Sequence, residues 1–123
     1  MFDHISLKVK SPSASRKFHE KALAPLGFTV VDDSESSAGL AAQDGSALWL
    51  SKESAQGPAI HFAVQATGRA AVDSFYGAAM EAGGRDNGKP GVRESYGPDY
   101  YAAFVLDPDG NNVEAVFNKP AKR

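Results

Sequence analysis

The sequence predicts an α+β fold made of two βαβββ modules, eight strands in all, and three observations predict it. The chain aligns with itself when shifted by 57 residues, which sets His4 on His61, Phe18 on Phe75, His19 on Tyr76, Leu23 on Met80 and Gly27 on Gly84. A second register, shifted by 65, sets Asp44-Gly45 on Asp109-Gly110, Leu48 on Val113 and Trp49 on Glu114. Third, apolar periodicity changes from two to about 3.6 and back in the same order in both halves. The modules are expected at about residues 1–57 and 58–118 of one domain spanning residues 1–123. The extra residues of the second half are expected between Arg85 and Pro98.

The elements follow in order. Ile5, Leu7 and Val9 alternate with polar neighbours, as in a strand with one covered face. Ser11-Pro12-Ser13 supplies cap and first-turn chemistry for a helix whose stripe is Ala14, Phe18, Ala22 and Leu23, ending near Pro25-Leu26-Gly27. Phe28–Val31, Gly39–Ala42 and Ala47–Ser51 read as three strands divided by polar turns. In the second half Ile60, Phe62 and Val64 alternate. Thr67 is expected to cap a helix carrying Ala71, Val72, Phe75 and Ala79, and Gly83-Gly84 to stop it. Gly88, Pro90, Gly91, Gly97 and Pro98 read as an irregular stretch. Tyr100–Leu106 and Asn112–Phe117 form a hairpin about Asp107-Pro108-Asp109-Gly110.

Composition narrows the function classes. The chain has 123 residues, with 13 Lys and Arg against 15 Asp and Glu, so it lacks the basic surface of a nucleic-acid binder. Its one basic cluster, Lys119 to Arg123, reads as a solvated terminus. There is no cysteine, which excludes disulfide scaffolds, thiolate metal sites and cysteine nucleophiles. No apolar run approaches the roughly 20 residues that span a bilayer. The opening MFDHISLKVK alternates and carries acid early, unlike a signal peptide. A soluble, cytoplasmic domain without membrane or nucleic-acid partners is the expectation.

Strand parity then selects a site. Side chains alternate faces along a strand, so the apolar sets of the first and last strand in each module should lie under the helices. His4, Trp49, His61 and Glu114 fall on the opposite faces. If the modules curve toward one another, these four converge on one cavity. Two imidazoles and a carboxylate on rigid strands form a 2-His-1-carboxylate set suited to Fe, Mn and related divalent ions, with positions left open for substrate. Bland alternatives stand beside this one. A histidine at a strand start is often a capping residue, Glu114 suits an open solvated face, and Trp49 suits a core. Tyr96, Tyr100 and Tyr101, around Gly97-Pro98, are either edge residues or the aromatic wall of a pocket. His19, next to Phe18 and off the helix stripe, is expected at the surface. The glycines form no strand-to-helix phosphate loop, and no serine lies in a nucleophile elbow.

The His4-bearing first strand, the His61-bearing strand at mid-chain and the closing YYAAFVLDPDGNNVEAV resemble the glyoxalase / bleomycin-resistance / extradiol-dioxygenase superfamily, the vicinal oxygen chelate fold. The resemblance covers nearly the whole chain, and strand–DPDGN–strand-with-Glu is its most specific part. It implies a glyoxalase-like fold of paired βαβββ modules whose eight strands enclose a cavity, and a homodimer. It implies His4, His61 and Glu114 as ligands of one divalent metal (Fe, Mn, Ni or Zn), with Glu114 also a proton shuttle. It further implies an enzyme acting on a small oxygen-chelating substrate, as lyase, dioxygenase or transferase, with Trp49 and the tyrosines around the pocket. Trp49 stands where glyoxalase I-like members carry a fourth ligand, a Glu, which argues against lactoylglutathione lyase activity. The dioxygenases usually add further modules and a second-shell base, for which only His19 is left. The superfamily's bleomycin-binding members imply the alternative, a metal-free protein that holds a small molecule or drug.

Overall fold

The computed structural model describes residues 3–53 and 58–118, so the division expected near residue 57 and the basic end at 119–123 lie outside the described residues. The order is β1 (His4–Val9), α1 (Pro12–Leu23) with a 3₁₀ turn at Ala24–Leu26, β2 (Thr29–Asp33), β3 (Ser37–Ala41), β4 (Ala47–Lys52), β5 (His61–Gln65), α2 (Arg69–Glu81), β6 (Arg85–Val92), β7 (Tyr100–Leu106) and β8 (Asn112–Asn118). Two mixed four-stranded sheets result, ordered β1-β4-β3-β2 and β5-β8-β7-β6. In each, the first strand runs parallel to the fourth, and the remaining pairs are antiparallel.

Both repeat registers reappear as strand pairing. His4 pairs Ala47 as His61 pairs Asn112, and Ser6 pairs Trp49 as Ala63 pairs Glu114. The shift of 65 extends back one strand, since Gly39 faces Trp49 as Phe104 faces Glu114.

Helix α1 begins where its sequence dictates. Ser11 is the cap, its Oγ accepting the Ala14 N–H at 3.1 Å, and Pro12 opens the first turn. Helix α2 departs from expectation. Gly68 rather than Thr67 is the cap, and no side chain satisfies the first turn. The stretch expected to be irregular contains a strand, β6, with register breaks between Asp86 and Gly88 and between Gly88 and Gly91. As the outermost strand it tolerates Pro90, whose missing N–H removes little from an edge.

The two helices pack on one another, and the core lies on their side of both sheets: Leu7, Val9, Leu48 and Leu50 from one, Val105, Val113 and Ala115 from the other, with Phe18, Leu23, Val72 and Phe75 between. Each such side chain contributes about 1.5–3 kcal/mol on burial. Parity leaves the opposite faces open: His4, Ser6, Lys8, Trp49 and Ser51 are exposed on one sheet, His61, Ala63 and Gln65 on the other.

Candidate functional site

Glu114 occupies the middle of β8, paired with Ala63 on one side and Phe104 on the other. It belongs to the open face yet is only 2% exposed, because neighbouring side chains close over it. The His61 Nε2 lies 2.7 Å from Oε1, and the Tyr100 hydroxyl donates to Oε2 at 2.5 Å. Burial, then the hydrogen bond to the Glu114 carboxylate and its charge, push the Tyr100 phenol up to about 12, so Tyr100 is a permanent donor near neutrality. The Tyr96 ring stands edge-on to Tyr100 at 5.2 Å and is itself largely exposed. Phe104 lies between two neighbours, with the His61 ring 6.0 Å away and the Arg93 guanidinium 5.3 Å above its ring. A Cβ at Gly88 would stand 2.8 Å from the Phe104 ring, so glycine, at φ +152°, makes room for it.

The first sheet carries the other half. Trp49 lies flat across its partner Gly39, where any Cβ would run into the indole, and the ring is 37% exposed. One ring face thus lies against backbone and the other is presented outward. His4 is half exposed, with Nδ1 2.8 Å from Asp3.

The expected residues therefore separate. His61 and Glu114 meet, with Tyr100 beside them. His4 does not join them within one chain: among the described residues no group of three His, Cys, Asp or Glu is gathered to hold a metal. Equivalent positions in a repeat are related by pseudosymmetry, and here the modules pack through their helices, leaving the two histidines on separate open faces. Tyr101 is also corrected. It is odd where Tyr100 and Phe104 are even, so it faces α2, donating to Asp73 Oδ1 at 2.6 Å under the Arg69 guanidinium.

His19 corrects the surface expectation. It is fully buried, its Nδ1 2.8 Å from the Ser15 carbonyl oxygen and its Nε2 3.4 Å from Asp107 Oδ2. Off the stripe that meets its own sheet, it lies on the flank that meets the second module, stacked on Phe62 at 6.5 Å. Burial would push the Asp107 carboxyl up, but the adjacent His19 imidazole and the hydrogen bonds from Asn111 outweigh it and hold the carboxyl below its ordinary value. The sequence signal was DPDGN itself, an acid-bearing turn that needed a partner. A groove of about 430 Å³ opens between the modules, lined by His4, Phe28, Asp44, Phe62 and Gln65 among others. It takes His4 from one open face and Ala63 and Gln65 from the other, but touches none of Trp49, His61, Glu114 or the tyrosines.

Residues 1–115 match the family model described as Glyoxalase/Bleomycin resistance protein/Dioxygenase superfamily. No curated protein matches. Among solved structures, a glyoxalase/bleomycin resistance protein from Albidiferax ferrireducens superposes with a TM-score of 0.80 at 26% identity, covering 98% of this chain and 99% of that one. A glyoxalase/bleomycin resistance protein/dioxygenase family enzyme from Burkholderia phytofirmans superposes at 0.76 and 17%, covering 95% and 98%. A glyoxalase-related enzyme from Fulvimarina pelagi does so at 0.76 and 18%, covering 96% and 88%.

Proposed function

Because the chain belongs to the glyoxalase/bleomycin resistance protein/dioxygenase superfamily, we propose that it is a metal-dependent enzyme of the cytoplasm acting on a small oxygen-bearing substrate, and that it works as a homodimer. The observation that carries this reading is the buried Glu114, with one oxygen turned to the His61 Nε2 and the other held by Tyr100. An imidazole nitrogen and a carboxylate oxygen on adjacent strands are the borderline donors that Fe, Mn, Ni and Zn accept. Two donors fit within one chain. The third, His4, is offered on an open face, and a second copy related by a twofold axis would lay that face over His61 and Glu114, forming two equivalent sites.

A divalent ion there supplies Lewis acidity to a substrate oxygen. The chain supplies the rest. Tyr100 fixes the rotamer of Glu114 through Oε2, so Oε1, with the His61 Nε2 beside it, is the oxygen placed to ligate or to carry a proton. The indole of Trp49, flat on Gly39, gives one wall an apolar surface and no donor atom, so that position supplies no fourth ligand. Trp49 also supports the second reading, a metal-free protein that holds a flat molecule against its exposed face.

Thermal melts with Mn(II), Ni(II) and Zn(II) separate the two. A ligand that binds only the folded state at a hundredfold over its Kd adds about 2.7 kcal/mol, so the melting temperature should rise and His61→Ala should abolish the rise. Mixing equal amounts of His4→Ala and His61→Ala protein should restore about a quarter of the metal capacity, since half of the dimers are mixed and each has one intact site of two. No rise with any ion, together with metal-free protein from a chelator-free purification, overturns the metal reading. A monomer in sedimentation overturns the shared site.

A further inference from the structure

Arg93 has no function in that reading, and its setting is unusual for a surface cation. Its guanidinium lies over Phe104, which pairs with Glu114 on one side and with Gly88, beside Arg93, on the other. One Nη donates to the Lys89 carbonyl, which fixes the arm. Its Nε is buried and has no hydrogen-bond partner among the described residues. No carboxylate among the described residues forms an ion pair with it. The nearby Asp86 feels the Arg93 charge without pairing with it, since it accepts the Gly88 N–H at 2.9 Å and faces Lys89 Nζ at 3.8 Å. A cation stacked on an aromatic ring keeps its in-plane N–H groups clear of the ring, and here the Nη N–H groups not given to Lys89 are those left for an anion. Gly88 has no side chain to interpose between Phe104 and the arm.

We infer that Arg93 forms a carboxylate-binding subsite, and that the ligand of the open face is an elongated organic monoanion, an aryl carboxylate with an oxygen function at its far end. The inference rests on the proposal that the face around Glu114 holds the substrate, and it narrows the class. The His61, Phe104 and Arg93 groups run in series at 6.0 and 5.3 Å separations. A carboxylate on Arg93 therefore leaves about one ring's length before the oxygen function meets His61 and Glu114. The apolar wall formed by Phe104 and Tyr100 suits an aryl body, and the fixed planar fork suits a carboxylate better than a spherical anion.

The test is calorimetric titration of the intact protein with 4-hydroxybenzoate and with its uncharged twin 4-hydroxybenzamide. The benzoate should bind about tenfold more tightly, the order expected of one charge-assisted hydrogen bond. Arg93→Gln should abolish that preference by weakening the benzoate alone, and Arg93→Lys should restore only part of it, since an ammonium lacks the planar fork. Circular dichroism melts identify any variant that fails to fold, and the wild-type preference for the benzoate stands as a test without variants. Equal affinity of the two probes, binding of neither, or an Arg93→Gln protein that keeps the preference overturns the subsite. The same samples carry the metal melts. A carboxylate preference without any metal response defeats the metal reading and leaves this one standing, and the converse result does the reverse.

Discussion

Replacing Asp107 by Ala should be among the most costly single changes in the protein. Asp107 is 1% exposed and closes the β7–β8 turn upon itself. Its Oδ1 accepts the N–H groups of Asp109 at 2.9 Å and Asn111 at 2.8 Å, and its Oδ2 accepts the Asn111 side-chain amide at 3.0 Å while facing His19. The Asn111 side-chain Oδ1 then takes the Ile60 N–H at 3.0 Å, fastening the entry to β5. Truncation strands three donors and the buried imidazole. Each unsatisfied buried donor costs about 1–3 kcal/mol, so the three together cost about 3–5 kcal/mol even after partial relaxation, which in a domain of this size lowers the melting temperature by roughly 12–20 °C. Asp107→Asn keeps an acceptor oxygen but not the charge, and should cost about 1–2 kcal/mol. The carboxyl is held below its ordinary value in the folded chain. Its contribution is therefore present above the unfolded value near 3.9 and is lost as pH falls through the lower folded one. Urea unfolding followed by circular dichroism between pH 7 and 3 measures both effects. The wild type should lose stability below about pH 4 more steeply than Asp107→Asn. A loss under about 1 kcal/mol for Asp107→Ala at pH 7, or identical acid limbs for wild type and Asp107→Asn, would refute the reasoning.

Further predictions concern the open faces. Tyr100→Phe leaves the buried Glu114 Oε2 without its donor and should cost about 1–3 kcal/mol in thermal unfolding; unchanged stability would mean the bond is absent in solution. Alkaline titration of tyrosinate absorbance should find one of the four tyrosines ionising near 12, and Tyr100→Phe should remove that step. Gly39→Leu should lift the indole from its bed and move Trp49 emission to the red, while an unaltered spectrum would place the ring elsewhere. In the dimer reading, stoichiometric Ni(II) should quench that emission, since the first-sheet face covers the metal, and His61→Ala should prevent it.

Local signals were legible wherever one residue type answers one physical need. Ser11-Pro12 starts α1, and Asp107 to Gly110 turns β7 into β8. Parity sorted Trp49, His61 and Glu114 onto open faces because a pleat leaves no third option. Other features depended on partners distant in sequence. β6 was hidden by Gly88, Pro90 and Gly91, which are tolerable only because that strand is outermost. Thr67 has better cap chemistry than Gly68, but the chain enters the helix one residue later. His19 was assigned to the surface from the amphipathy of α1 alone, whereas α1 is covered on a second flank by the other module. Tyr101 and Tyr100 are neighbours in sequence and opposites in space. His4 was expected to join His61, but a repeat gives equivalence, and the packing of the helices decides proximity.

The clasp between the modules also orders events during synthesis. Lys10 donates its backbone N–H to Asp109, 99 residues further on, and His19 waits for Asp107. When the first module has left the ribosome, the flank of α1 bearing His19 has nothing to cover it. At 5–20 residues per second the acid-bearing turn emerges several seconds later. Through that interval the nascent chain carries an uncapped imidazole beside Phe18, a surface that a chaperone can hold and that a truncated product ending before residue 107 would keep permanently. The β7–β8 hairpin therefore works as the closing pin of the first helix.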